Sequence, residues 1–153
     1  MTSVPQLNSS VFHLRQILED SGGNQSGWDA AWTQAITPWD AQDEQPQLAF
    51  RWAVNYPSIK EHLQQGGKGL VAGCGRGYDA QFLAHLGFTP AIGVDISPKA
   101  VEAANEWFAS KGDPNLRQSV HFIVADFFKL GSSEGSSLVG RDVALAYDYT
   151  FFW

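Results

Sequence analysis

The residues best suited to chemistry are a glycine-rich segment, Gly73-Cys74-Gly75-Arg76-Gly77, and an acidic residue about 20 positions further on, Asp95. We call residues 73–77 the glycine loop. Glycines let the backbone approach a ligand closely, and exposed N–H groups at a helix start favour a phosphate or a carboxylate. An acidic side chain at this offset takes up ribose hydroxyls in doubly wound folds. The pair predicts a site for an adenosine-containing cofactor, and the alternative is a tight structural turn followed by a helix-capping aspartate.

The glycine spacing favours one cofactor over others. A dinucleotide fingerprint has the pattern GxGxxG, whereas Gly77 comes one residue early and Tyr78 stands where the third glycine belongs. The Gly-Lys-Ser/Thr of a phosphate-binding Walker A loop does not occur here. GxGxG followed by an acidic strand end is the arrangement used for S-adenosyl-L-methionine. Asp126 sits where methyltransferases contact the adenine amino group, although a lone aspartate there is more often a strand-to-loop cap.

Alternating short apolar runs and helical segments after residue 66 predict βαβ units and a parallel sheet. The predicted strands are 69–72, 91–94, 120–125 and 143–147, and the predicted helices between them are 78–86 and 98–111. Ser97 is the expected N-cap of the second helix, and Gly112 its C-cap. The Gly/Ser-rich connection 131–140 is expected to be flexible.

Before the sheet, the apolar spacing predicts helices at 9–20 and 46–55, with a short helical stretch continuing to residue 65. The segment between them, 21–46, is predicted to be irregular although it carries Trp28, Trp32 and Trp39. We therefore expect one structural domain with two parts. Residues 1–65 form a helical and tryptophan-rich cap, and residues 66–153 form the sheet.

Composition excludes several classes of function. The 153 residues carry ten Lys and Arg against sixteen Asp and Glu, and a net charge of -6 disfavours nucleic-acid binding. A single cysteine cannot form an internal disulfide, and no apolar run approaches the ~20 residues of a membrane span. The first residues lack the features of a signal peptide, so we expect a cytoplasmic protein without a membrane partner. Four scattered histidines indicate no metal site, and Cys74 is expected to be a packing residue.

Six segments carry a resemblance to a known family. They are Trp28-Asp-Ala-Ala-Trp32, Thr37-Pro-Trp-Asp40, Leu70-Val-Ala-Gly-Cys-Gly-Arg-Gly-Tyr-Asp79, Gly93-Val-Asp-Ile-Ser97, Asp126-Phe-Phe128 and Asp148-Tyr-Thr-Phe-Phe152. In this order and spacing they resemble the thiol, thiocyanate and halide methyltransferases of the thiopurine methyltransferase-like superfamily. The resemblance covers nearly the whole sequence but only about the first half of a typical family member.

The resemblance implies a set of cofactor contacts. It assigns Trp28, Trp32 and Trp39, here called the tryptophan lid, to a position folded over S-adenosyl-L-methionine, and it places Gly73, Gly75, Asp95, Asp126, Phe127 and Tyr149 in the cofactor site. A sulfonium is a cation and gains from an aromatic face. The alternative for the three tryptophans is a satellite hydrophobic cluster under a long loop. The reaction implied is in-line attack on the methyl group by a thiolate, thiocyanate or halide, with no assigned catalytic acid or base.

Two departures from the family pattern affect the expected fold. Ala72 stands where members commonly have Pro, and Trp153 where they often have Cys. A class I methyltransferase sheet of the Rossmann-like type has seven strands, of which about four are expected here. The doubly wound sheet is therefore expected to be incomplete, and the protein to be truncated at its C-terminus. The strand at 143–147 then becomes an exposed edge at which self-association is expected.

Two functions are left open by the sequence. One is a methyltransferase acting on a small thiol or an anionic nucleophile. The other is a truncated, non-catalytic protein that binds S-adenosyl-L-methionine. A nicotinamide-dependent oxidoreductase is disfavoured by the glycine spacing and the tryptophan motifs.

Overall fold

The computed structural model describes residues 9–40, 46, 48–131, 139–140 and 142–149. Its centre is a four-stranded parallel sheet in the order β3-β2-β1-β4. The strands are β1 (Gly67–Ala72), β2 (Phe88–Asp95), β3 (Val120–Val124) and β4 (Val143–Asp148). This confirms the predicted α/β fold with four parallel strands, of which β1 and β2 begin two or three residues earlier than the apolar runs suggested.

Six α-helices occur over the described residues. They are α1 (Ser9–Asp20), α2 (Gln25–Thr33), α3 (Leu48–Ala53), α4 (Pro57–Leu63), α5 (Tyr78–His85) and α6 (Pro98–Lys111). α5 and α6 are the crossovers that join β1 to β2 and β2 to β3, as the βαβ pattern predicts. Ser97 caps α6 as expected, since its Oγ accepts a hydrogen bond from the N–H of Ala100 at 3.2 Å.

The prediction of an irregular segment over 21–46 was wrong for residues 25–33, because α2 lies there. The side chain of Asn24 caps α2 by accepting from the N–H of Ser26 at 3.0 Å. Gly27 is buried within the helix, where a Cβ would overlap the hydroxyl of Ser21 at the end of α1. Helix propensity is low in this segment, so contacts with α1 and α6 stabilise it.

The core lies on both faces of the sheet. On one face Leu83 of α5 and Trp107 of α6 pack with residues that include Phe88 and Ala91 of β2. On the other face Ile92 of β2 packs with neighbours that include Leu70, Val94 and Val139. Leu83 and Ile92 are fully buried, and each such buried residue contributes about 1.5–3 kcal/mol. The helices α5 and α6 are thus fixed against one face, and their N-termini are held at the carboxyl end of the sheet.

β4 forms an edge of the sheet over the described residues, paired through β1 alone. The self-association expected at this edge stays a prediction. The flexible connection predicted at 131–140 lies largely outside the described residues, as do the aromatic residues 150–153. None of the helices in the described part of the protein is both long and apolar enough to cross a membrane.

Candidate functional site

The strand register brings most of the predicted site residues to the carboxyl ends of the strands. Ala72, the last residue of β1, pairs with Val94 on one side and with Asp148 on the other. Asp95, the last residue of β2, pairs with Val124 at the end of β3. Consequently Gly73, Asp95, Asp126 and Tyr149 all follow or end strands at the same edge. Strand order reverses at β1, and ligands of open α/β sheets bind outside the carboxyl ends of strands at such a reversal.

The glycine loop turns sharply between β1 and α5. Gly75 and Gly77 have φ angles of 50° and 85°, a region that favours glycine. A Cβ at Gly77 would also overlap the ring of Phe122 on β3. The loop is tied to the sheet because the N–H of Cys74 donates to the carbonyl of Val94 at 2.9 Å. Glycine is therefore required at Gly77 for packing, independently of any ligand.

Asp95 bridges the glycine loop and the start of α6. Its Oδ2 accepts from the N–H of Gly75 at 3.1 Å, and its Oδ1 accepts from the N–H of Ser97 at 3.0 Å. The residue is 9% exposed, and burial raises its pKa while the N–H groups of Ser97 and Gly75 oppose the rise. An ionised carboxylate has about four acceptor positions. Asp95 therefore has the structural role of a capping aspartate at the start of α6, which was the alternative interpretation. It also retains acceptor positions that ribose hydroxyls could use.

The tryptophan lid forms one aromatic cluster around Trp39. The ring centroids of Trp28 and Trp39 are 5.7 Å apart, and those of Trp32 and Trp39 are 6.1 Å apart, both in edge contact. The cluster lies on the glycine loop, because a Cβ at Gly75 would be 3.5 Å from Trp32 and 4.0 Å from the Nε1 of Trp39. The fold thus brings the lid and the loop together although they are distant in sequence.

An arginine of the glycine loop joins this cluster. The Cζ atom of Arg76 lies 5.5 Å from the ring centroid of Trp32, within the range of a cation–π interaction. The Nε of Arg76 also donates to the Oδ2 of Asp40, whose side chain is only 4% exposed. Sequence reasoning gave neither residue a role. The sequence nevertheless offered one indication that Asp40 has a role, because Asp40 directly follows a lid tryptophan, Trp39.

A second aspartate without a predicted role contacts the other side of the cleft. The Oδ1 of Asp29, in α2, accepts from the hydroxyl of Ser97 at 2.7 Å and from the N–H of Lys99 at 2.9 Å. These donors lie at the N-terminus of α6, where a negative charge is favourable. Asp29 also directly follows a lid tryptophan, Trp28.

The remaining predicted contacts, Asp126, Phe127 and Tyr149, follow the ends of β3 and β4. The N–H of Ala125 donates to the carbonyl of Asp95 at 3.0 Å, which holds the end of β3 next to β2. Asp126 then accepts from the N–H of Phe128 at 3.0 Å and caps a short 3-10 helix, Phe127–Lys129. Phe127 packs into the core cluster on the second face of the sheet. Tyr149, 41% exposed, follows β4. The assignment of these three residues to the cofactor site stays a prediction.

Cys74 is a packing residue in the glycine loop. It is buried against Gly93, where a Cβ would lie 2.8 Å from the Cβ of Cys74. Burial, together with the charge of Asp95, raises the pKa of the thiol well above its ordinary value. Over the residues that the structure describes, no three side chains among His, Cys, Asp and Glu lie together as a metal site would require.

The sheet order, the glycine loop and the acidic strand end define a Rossmann-like methyltransferase fold. The family model described as thiopurine S-methyltransferase (TPMT) matches residues 23–153, and the chain belongs to that family. The predicted family resemblance is confirmed.

Individual relatives agree with this assignment. The chain is 32% identical over 147 residues to "Probable thiol methyltransferase 2" of Arabidopsis thaliana, a match that covers 96% of this chain and 55% of that protein. It is 30% identical over 131 residues to "Thiocyanate methyltransferase 1" of the same plant, a match that covers 84% of this chain and 48% of that protein. The chain therefore spans about half the length of these relatives.

One solved structure supports the fold. It comes from work on the conversion of a disulfide bond into a thioacetal group during echinomycin biosynthesis, and it matches with a TM-score of 0.51 and 32% sequence identity. The match covers 72% of this chain and 41% of the other.

Proposed function

We propose that this protein binds S-adenosyl-L-methionine at the carboxyl edge of the sheet and transfers its methyl group to a small thiol, or to an anion such as thiocyanate or halide. The observation that carries the proposal is the environment of Gly75. A Cβ at Gly75 would lie within 4.0 Å of Trp32 and Trp39, and the N–H of Gly75 is bonded to Asp95. Three segments that are distant in sequence meet there, and this meeting supports a cofactor site at the glycine loop.

The residues around Gly75 suit a sulfonium nucleoside. Gly75 is buried, and a Cβ there would be in van der Waals contact with Trp32, so glycine lets the lid lie close to the loop. The face of Trp32 already lies near one cation, the guanidinium of Arg76. A cation over a tryptophan gains about 0.5–2 kcal/mol. Asp95 supplies a carboxylate beside the loop, as a ribose requires.

The protein provides positioning and exclusion of water. S-adenosyl-L-methionine, when bound, supplies an electrophilic methyl group that a thiolate or anion takes up by in-line displacement, leaving S-adenosylhomocysteine. Asp95 and the glycine loop orient the nucleoside and the amino-acid end of the cofactor. The tryptophan lid keeps water from the cleft, which favours an anionic nucleophile that is otherwise well solvated. No general base is required, because a thiol with a pKa near 8.5 is already a few per cent thiolate at neutral pH.

The proposed acceptor class rests on the relatives. Those described above are named for a thiol and for thiocyanate, which are anionic or readily ionised sulfur nucleophiles. At about 30% identity these names support an acceptor class rather than one compound. The lid and the glycine loop support the cofactor and do not discriminate among acceptors.

The test uses the purified protein in two measurements. Isothermal titration calorimetry with S-adenosyl-L-methionine, S-adenosylhomocysteine and NAD should show binding of the first two ligands only. Transfer of labelled methyl from the cofactor is then measured with hydrosulfide, an aromatic thiol, thiocyanate and iodide as acceptors. Binding with methylation of at least one acceptor supports the proposal. Binding without any methylation supports the non-catalytic alternative, and binding of NAD alone would refute both.

A further inference from the structure

Two aspartates connect the tryptophan lid to the two loops of the proposed cofactor site. We propose that Asp29 and Asp40 are positioning residues that hold the lid in its binding geometry before a ligand arrives. This inference deepens the proposed function and rests on it for the identity of the ligand. Each aspartate directly follows a lid tryptophan, Trp28 or Trp39, so each fixes the backbone beside an aromatic ring.

Asp29 acts on the β2 side of the cleft through Ser97. Ser97 is fully buried, and it donates its hydroxyl to Asp29 at 2.7 Å and its N–H to Asp95 at 3.0 Å. The helix that carries Trp28 and Trp32 is therefore connected through one serine to the carboxylate proposed to hold the ribose. A second hydrogen bond, from the N–H of Lys99 to the same Oδ1 at 2.9 Å, fixes the direction of the Asp29 carboxylate. Displacement of α2 would disturb both the lid and the ribose site.

Asp40 acts on the glycine-loop side through Arg76. The carboxylate is almost fully buried and pairs with the Nε of Arg76, while the guanidinium lies over the ring of Trp32. A buried carboxylate that loses its cation keeps its desolvation cost. The ion pair therefore holds the backbone after Trp39 against the loop that Trp32 also covers. Together the two contacts fix the lid from both ends.

The physical consequence is preorganisation. A lid that is already placed over the cleft does not lose conformational freedom when the ligand binds, so affinity is higher than for an unanchored lid. The anchors themselves need not touch the ligand. Their loss is expected to release the aromatic rings to solvent and to weaken cofactor binding, whereas the sheet and its core should persist.

The test compares Asp29→Ala with Asp29→Asn in the full-length sequence. Asparagine keeps an oxygen that accepts from Ser97 and Lys99, so the conservative variant should restore what alanine loses. The matched control is Asp113→Ala, at a site outside the lid. It removes the hydrogen bonds that Asp113 accepts from the backbone and side chain of Asn115 at 2.9 and 3.0 Å, together with a contact to His85. Acrylamide quenching of tryptophan fluorescence without ligand reports lid exposure, calorimetry reports the affinity for S-adenosylhomocysteine, and thermal melting reports the fold.

We expect Asp29→Ala to increase quenching and to weaken S-adenosylhomocysteine binding by about tenfold, as the loss of the hydrogen bonds that Asp29 accepts from Ser97 and Lys99 implies. Asp29→Asn should bind within about threefold of wild type, and Asp113→Ala should change neither measurement. The inference about Asp29 is overturned if Asp29→Ala behaves like Asp113→Ala, or if asparagine fails to restore binding. Should Asp29→Ala not fold, Asp29→Leu, which keeps the side-chain volume but removes the acceptor, is measured in its place.

Asp40 is tested by a double-mutant cycle with Arg76. Asp40→Asn, Arg76→Gln and the double variant should each increase quenching, and the double variant should be no worse than Asp40→Asn alone because the pair acts as a unit. Additive effects would overturn the inference for this pair. If the wild-type protein fails to bind S-adenosylhomocysteine, the proposed function fails, while quenching of the ligand-free protein still decides whether the two aspartates anchor the lid.

Discussion

The N–H of Gly75 donates to the Oδ2 of Asp95 at 3.1 Å, which connects the turn after the first strand to the acidic end of the second. This contact fixes the distance between the backbone of the glycine loop and the carboxylate of Asp95, the two groups proposed to hold the cofactor. It also places Asp95 in a buried position, where burial raises its pKa. The charge state of Asp95 is therefore a measurable property of the site.

The first prediction concerns cofactor binding as a function of pH. In the proposed site Asp95 accepts most strongly from ribose hydroxyls when it is ionised, and burial raises its pKa above the ordinary value of 3.8. Affinity for S-adenosylhomocysteine should therefore fall on acidification at a pH above 3.8. Asp95→Asn should bind weakly with a flat profile over the same range. Calorimetry from neutral pH downwards checks this, and a wild-type profile as flat as that of the variant would contradict it.

The same group gives a prediction for stability, with the opposite sign. A raised pKa means that the folded state holds the proton more tightly than the unfolded state. Asp95 therefore contributes to the free energy of unfolding fully at a pH below its pKa in the unfolded state. This contribution is lost as the pH rises through its pKa in the folded state. Urea unfolding at a series of pH values should show this decrease in wild type relative to Asp95→Asn. A wild-type curve that gains stability relative to the variant as the pH rises would show that the pKa is lowered instead.

Another prediction separates lid tryptophans from an exposed one. Trp32→Leu removes the ring that lies beside Gly75, and Trp52→Leu removes a ring on α3 that is 65% exposed. In the proposed complex Trp32 also contacts the sulfonium, and loss of a cation–π contact costs about 0.5–2 kcal/mol, so Trp32→Leu should weaken S-adenosyl-L-methionine binding by roughly twofold to thirtyfold. Trp52→Leu should bind as wild type does. Equal affinities in the two variants would favour the alternative of a hydrophobic cluster.

Two glycines with positive φ test the packing of the glycine loop. Gly77 and Gly87 have φ angles of 85° and 97°, but a Cβ would overlap Phe122 only at Gly77, and no atom of the described residues lies within 4 Å at Gly87. Backbone strain of about 1–3 kcal/mol is expected for alanine at either position. Overpacking adds about 1–3 kcal/mol at Gly77. Chemical unfolding should therefore give a lower free energy of unfolding for Gly77→Ala than for Gly87→Ala. The reverse order would contradict the close approach of Gly77 to Phe122.

The hydroxyl of Tyr147 gives a further stability prediction. Its ring stacks on Phe50 with centroids 3.9 Å apart, and its buried Oη has no hydrogen-bond partner within the described ranges of the protein. Burial of an unpaired hydroxyl costs about 1–3 kcal/mol. Tyr147→Phe should therefore leave stability unchanged or increase it by up to about 2 kcal/mol, and Phe50→Ala should lower it. A clear loss of stability in Tyr147→Phe would show that the hydroxyl has a partner.

Local sequence was sufficient for the central βαβ unit. The strands alternate with helices whose ends are marked by Ser97, Pro98 and Gly112, and each of these signals acts within a few residues. The glycine loop and Asp95 follow from the same local order, because a strand, a turn and a helix in sequence place them at one edge. Local signals therefore predicted the fold class and the meeting of the glycine loop with Asp95 at the carboxyl end of the sheet.

The tertiary structure decided what surrounds that cleft. α2 has a weak local helix signal and forms where Gly27 permits close contact with Ser21. The contact between Asp29 and Ser97 joins residues 68 positions apart, and that between Asp40 and Arg76 joins residues 36 positions apart. No periodicity encodes such pairs, because they arise only when the cap folds back on the sheet. The sequence alone therefore determined the sheet and the loop that offers the backbone, while packing of the cap determined how the tryptophan lid is held over them.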